Sequence, residues 1–154
     1  MCFCAPVASL LLVASCIVRG GDSHPLYPGP ERPRAEVARL IGPIGEVDGQ
    51  DVTKLGKAFS LLPGCHVARL ASKTGSINTL GGGGGYVASL PRALYAFRMQ
   101  PAHTYEIEVV VDPITGPTGT LTLHAWDRDE HGGASEVSPV TSTAQIDECM
   151  RWRP

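Results

Sequence analysis

Residues 104–112 read Thr104-Tyr105-Glu106-Ile107-Glu108-Val109-Val110-Val111-Asp112. Tyr105, Ile107, Val109 and Val111 share one parity; Thr104, Glu106, Glu108 and Val110 share the other. A period of two belongs to a strand, and apolar residues facing carboxylates make it half-buried and antiparallel. Val109→Asp is therefore expected to be among the most damaging substitutions in the chain. Residues 94–99 alternate in the same way, with Tyr95, Phe97 and Met99 opposite Leu94, Ala96 and Arg98. After a turn at residues 113–117, residues 119–126 return with Leu121 and Leu123 inward. Eighteen glycines and thirteen prolines among 154 residues interrupt any long regular element. Many short strands joined by turns are expected, in one domain.

Phe59 to Leu70 hold an apolar run, a Pro63-Gly64 turn and a second run opened by Cys65. Proline presets φ at one turn position and glycine accepts positive φ at the next, which predicts a central hairpin. Val47-Asp48-Gly49-Gln50 is a second hairpin signal, since Asp-Gly suits a turn with positive φ at both central residues. Residues 35–44 fit either a strand or a helix ended by Gly42, and the β character of the remainder favours the strand. Val47-Asp48-Gly49 followed by Leu61-Leu62-Pro63-Gly64-Cys65-His66-Val67 resembles the PEGA domain. The chain is also similar to small proteobacterial lipoproteins with an "LLPGCH" stretch and a later segment like Ala102-His103-Thr104-Tyr105-Glu106-Ile107. The resemblance covers roughly residues 35–111 and implies a small surface-protein β fold without catalytic residues. Residues 73–92, which include Gly81 to Gly85, do not align to that motif. The pentaglycine lacks the Lys-Ser/Thr of a phosphate loop and is read as a loop.

Ala5 to Ala14 form an apolar run broken only by Ser9, the length of a signal-peptide core and too short to span a membrane. It leads into Val13-Ala14-Ser15-Cys16, which resembles the bacterial lipobox. The resemblance implies cleavage before Cys16 and its lipidation, with acyl chains as a membrane anchor. Met1-Cys2-Phe3-Cys4 lacks the usual basic residue, so a plain secretory signal or a buried strand stay open as alternatives. Residues 17–34 carry Pro25, Pro28, Pro30 and Pro33 and read as an extended tether. Ile17 is not aspartate, which by the sorting rule of some Gram-negative bacteria gives outer-membrane delivery.

Cys65 and Cys149 remain beyond the leader and Cys16, and two thiols in an exported chain predict one disulfide. Cys65-His66 cannot act as nucleophile and base, because neighbours on a strand point to opposite faces. His66 and His103 stand at strand starts, where satisfying turn backbone groups is expected of them. No HxxxH or CxxC occurs, so neither a metal nor another cofactor is expected. Asp127 to Glu130 gather carboxylates in a loop without EF-hand spacing. Net charge is −2 without a basic block, which gives nucleic acid no electrostatic hold.

The expected fold class is all-β, a small antiparallel sandwich or open barrel. Residues 1–15 are read as a lipoprotein signal peptide, 16–34 as a lipid-anchored tether and 35–154 as the β domain. The expected function is a non-catalytic envelope lipoprotein that binds or supports an envelope protein or glycan. The alternative is a secreted or periplasmic hydrolase using carboxylates around Asp127 to Glu130.

Overall fold

The computed structural model describes residues 23–71, 74–78, 85–89, 93–112 and 120–152. The proposed signal peptide, Cys16, Gly81 to Gly84 and the turn at 113–117 lie outside those residues. Twelve strands are described: β1 (His24–Pro25), β2 (Ala38–Ile41), β3 (Ile44–Val47), β4 (Gln50–Asp51), β5 (Ala58–Leu61), β6 (Gly64–Leu70), β7 (Thr74–Asn78), β8 (Gly85–Ser89), β9 (Leu94–Met99), β10 (Thr104–Asp112), β11 (Thr120–Arg128) and β12 (Ala134–Glu136). A 3-10 turn spans Arg34–Glu36, and α1 spans Thr143–Arg151. The ambiguous stretch at 35–44 is thus a turn running into a strand.

The chain is all-β, as the alternating patterns require. One sheet has the order β1-β5-β2-β10-β11-β12 and another β4-β3-β6-β9, with β7 and β8 paired separately. Two features depart from the sequence reading. The sheets are not purely antiparallel, because β1 pairs with β5 and β2 with β10 in parallel. And Pro63-Gly64 does not close a hairpin: β5 lies in the six-stranded sheet and β6 in the other. Gly64 does take positive φ, at 152°. The local conformation was legible, but its use to step between sheets is set by pairing partners far along the chain. The Asp48-Gly49 turn between β3 and β4 forms as expected, with φ of 50° and 83°.

The folded unit also begins earlier than Ala35. Ser23 bonds Ser60 side chain to side chain at 2.6 Å, the Leu26 N–H donates to the Ser60 carbonyl, and Leu26 packs on the core. Part of the proline-rich stretch read as tether is therefore bound along β5. Prolines fit there because a sheet's outermost strand needs only half of its backbone groups paired.

Both sheets contribute to one cluster of buried side chains, including Leu40, Phe59 and Tyr105 from the first and Val47, Ala68, Tyr95, Phe97 and Met99 from the second. The alternation of β9 holds, with Tyr95, Phe97 and Met99 fully buried. Phe97 and Tyr105 meet edge to face at 5.3 Å, so aromatics link the layers although they are only 6% of the chain. The hydroxyl of Tyr105 donates to the Arg98 carbonyl and accepts from the Gln100 N–H, both at 3.0 Å. That of Tyr95 is buried without a hydrogen-bond partner among the described residues. A hydroxyl in that position costs its full desolvation. Tyr95→Phe is accordingly expected to leave stability unchanged or raise it by up to about 1 kcal/mol in urea unfolding; a loss beyond that would show that the hydroxyl has a partner.

Candidate functional site

Among the described residues the fold assembles four histidine–carboxylate contacts; those of His124 with Glu136 at 3.1 Å and of His131 with Glu130 at 3.9 Å are the more exposed, and the other two are considered in turn. The first joins the two halves of the turn signature. Asp48 takes up positive φ in the β3–β4 turn, and its Oδ1 accepts the Val67 N–H at 2.8 Å. Its Oδ2 lies 2.6 Å from His66 Nδ1, while His66 Nε2 lies 2.8 Å from the Leu62 carbonyl oxygen. A carboxylate and a carbonyl can only accept, so each ring nitrogen must carry a proton and the bridging state is the imidazolium. Burial pulls the His66 pKa down, but the bonds to Asp48 and Leu62 and the Asp48 charge outweigh it, and the net shift is upward. Burial likewise pushes Asp48 up, yet its bonds to His66 and Val67 hold it below the ordinary carboxylate value.

This pair is a latch between the β3–β4 turn and the passage from β5 to β6. Its contribution is complete below the ordinary histidine pKa of about 6.5 and is lost as pH rises through the higher folded value. On the acid side it fades as pH falls through the lowered value of Asp48. The melting temperature of wild type should therefore exceed that of His66→Gln most clearly between about pH 4.5 and 6.5, and the gap should narrow toward pH 9. A gap independent of pH would exclude the imidazolium bridge.

Beside the latch, Cys65 and Cys149 place their sulfurs 2.05 Å apart, a disulfide pair. Cys65 and His66 thus turn to different partners, as strand alternation requires. α1 carries Cys149, its only buried residue, and Glu148, which pairs with Arg98 of β9. Gln145 Oε1 accepts the N–H groups of Thr141 and Ser142 and starts the helix. The tail forms a helix that rests on β6 and β9.

The second pair is His103 with Asp127, Nδ1 to Oδ1 at 2.7 Å, and both side chains are about one-fifth exposed. His103 thus bonds a side chain, where a turn backbone group was expected. The two border a depression of about 280 Å³ together with Asp129, Gly133, Ala134 and Ser135. Of the carboxylates singled out in the sequence, Asp127 and Asp129 face this space, and Glu130 does not line it. Asp129 is engaged in the turn, its Oδ1 accepting the N–H groups of His131 and Gly133 at 2.8 Å. The Gly133 bond, foremost, keeps its pKa below the ordinary value against a smaller opposing effect of desolvation. Tyr105, cross-strand from Asp127, has its pKa driven well above the ordinary phenol value by burial first and then by the bond to Gln100 and the Asp127 charge acting in opposite directions.

Aspartate, histidine and serine around one cavity invite comparison with a nucleophilic triad, but the strand order forbids it. A triad needs the histidine between the other two. Here Ser135 of β12 pairs with Asp127 of β11, and β11 separates β12 from β10, which His103 precedes. The carboxylate therefore lies between serine and histidine. Among the described residues no group of three or more potential ligands could hold a metal ion. No family model matches this sequence, and no curated protein or solved structure matches it.

Sequence reasoning reached Cys65, Cys149 and the Asp127 region, but neither histidine–carboxylate pair. Asp48 and His66 both stood inside the quoted turn signature, and a turn aspartate with a histidine eighteen positions on, in β6, was the available signal. His103 and Asp127 gave none, because only the β10–β11 register brings them together.

Proposed function

We propose that this chain is an exported, lipid-anchored protein of the bacterial cell envelope, whose two sheets form a sandwich acting as a non-catalytic binding or structural module. The observation that carries the reading is the Cys65–Cys149 pair at bonding distance, since such bridges persist in oxidising compartments. It agrees with the apolar leader and the lipobox-like tetrad ending in Cys16. Lipidation of Cys16 would hold the domain at the outer membrane, with an envelope protein or a glycan as partner and no cofactor. The latch and the two-sheet core give the module rigidity. The alternative hydrolase draws its support from the His103–Asp127 pair beside Asp129, and the spatial order at Ser135 counts against a serine mechanism.

Intact mass spectrometry of the membrane-extracted protein tests the reading. The expected result is a chain beginning at Cys16, carrying acyl mass, and gaining two hydrogens on reduction. Cys16→Ser should release the protein from the membrane fraction. Persistent acylation in that variant, or free thiols in the native protein, would overturn the assignment. A hydrolytic activity abolished by Asp127→Asn in a folded protein would replace the binding module with the enzyme.

A further inference from the structure

The point where the chain enters the folded unit limits how far this domain can stand from a membrane. Ser23 bonds Ser60 at 2.6 Å, β1 pairs in parallel with Phe59 and Ser60, and the Leu26 N–H donates to the Ser60 carbonyl at 2.9 Å. A proline-rich stretch free as far as Ala35 would let the domain stand up to about 60 Å from Cys16, at about 3.1 Å per residue. With Ser23 fixed on β5, only residues 17–22 intervene. The seven chain steps from Cys16 to Ser23 span at most about 25 Å in any conformation.

The strand register places the depression beside His103 at the opposite edge of the same sheet. Cross-strand partners run in one unbroken row: His24, Phe59, Leu40, Tyr105, Asp127 and Ser135. The row starts where the chain enters and ends at two residues that border the depression. The adjoining row, from Pro25 to Ala134, ends there too. Neighbouring strands stand about 4.8 Å apart, so the passage from β1 to β12 covers about 24 Å. The two ends also differ in charge. Residues 23–36 carry Glu31 and Glu36 against Arg32 and Arg34, whereas residues 127–136 carry Asp127, Asp129, Glu130 and Glu136 against Arg128.

On the reading of Cys16 as a lipid anchor, on which this rests, we propose that the β1 end of the six-stranded sheet lies against the lipid surface that holds Cys16, with the His103–Asp127 depression presented at the far edge. Chain length selects the occupant of the β1 end. Acyl chains on Cys16 enter the bilayer, which puts Cys16 at the headgroups, and Ser23 cannot leave their neighbourhood. Charge selects the orientation. Anionic headgroups do not repel the balanced entry end, but they repel the acidic β11–β12 end and turn it outward. A partner seated at the depression must itself stand within about 50 Å of the anchor.

Photo-crosslinking of the acylated protein in vesicles of phosphatidylethanolamine and phosphatidylglycerol tests this. p-Benzoylphenylalanine placed at His24 is expected to capture phospholipid on irradiation, and the same probe at Ser135 several-fold less. Both positions are exposed, so both variants should fold. Inserting about twenty Gly/Ser residues between Gly20 and Gly21 raises the ceiling to about 95 Å. It should cut the His24 adduct several-fold while acylation persists. Equal adducts at the two positions, a His24 adduct indifferent to the insertion, or no His24 adduct in a chain whose mass includes acyl groups would overturn the proposal and leave the anchor standing. A chain without acyl mass at Cys16 would overturn the anchor, and the proposal with it.

Discussion

Cys149→Ser is expected to lower the unfolding free energy by up to about 4–5 kcal/mol, the loop-closure entropy of an 84-residue separation. The effect should be accompanied by loss of α1. A nine-residue helix is below the length of about 12–15 residues at which isolated helices become even marginally stable. Its only buried residue is Cys149, and the exposed Glu148–Arg98 pair contributes at most about 1 kcal/mol. With the bridge gone, little holds the helix on β6 and β9. Urea unfolding with and without reductant measures the stability, and amide exchange over residues 145–151 reports the helix. Wild type under reducing conditions should match the variant in both. An unchanged urea midpoint, or retained protection of α1, would contradict the account.

The second large effect is at Ile107. Ile107→Asp should abolish folding, while Val109→Asp should leave a folded but weakened domain. Ile107 is 3% exposed within the shared core, and removing such a side chain costs about 2–5 kcal/mol before the buried carboxylate is counted. Domains of this size hold only about 5–15 kcal/mol in total, so the combined loss leaves no stable native state. Val109 has the same parity but lies one step past the corner made by Gly42, and it is only half-buried. The sequence pattern placed Val109→Asp among the most damaging changes; the structure makes the change at Ile107, two residues back and inside the shared core, the more damaging of the two. Circular dichroism and solubility of the two variants decide the point, and equal damage at both sites would show that the core extends along the whole of β10.

Both effects separate local patterning from assembly. Alternation identified β9 and β10, the inward faces of Tyr95, Phe97, Met99, Tyr105 and Ile107, and the Asp48-Gly49 turn, because side-chain direction and turn dihedrals depend on adjacent residues. The two cysteines were legible for a different reason: beyond the proposed leader and Cys16 only two remained to pair.

What the sequence by itself determined is therefore an all-β chain, its strongest strands and their buried faces. Tertiary structure alone decided that Pro63-Gly64 passes between sheets, that β2 lies parallel to β10, and that His24 to Leu26 add to β5. It also decided the pairs Asp48–His66 and His103–Asp127 and the end of the β2 pairing at Glu106. A strand's period says which face is apolar, but it carries no information about which strand will satisfy the N–H and C=O groups along each edge. Those partners are fixed by burial of the whole core at once, over separations such as the 65 positions between Leu40 and Tyr105.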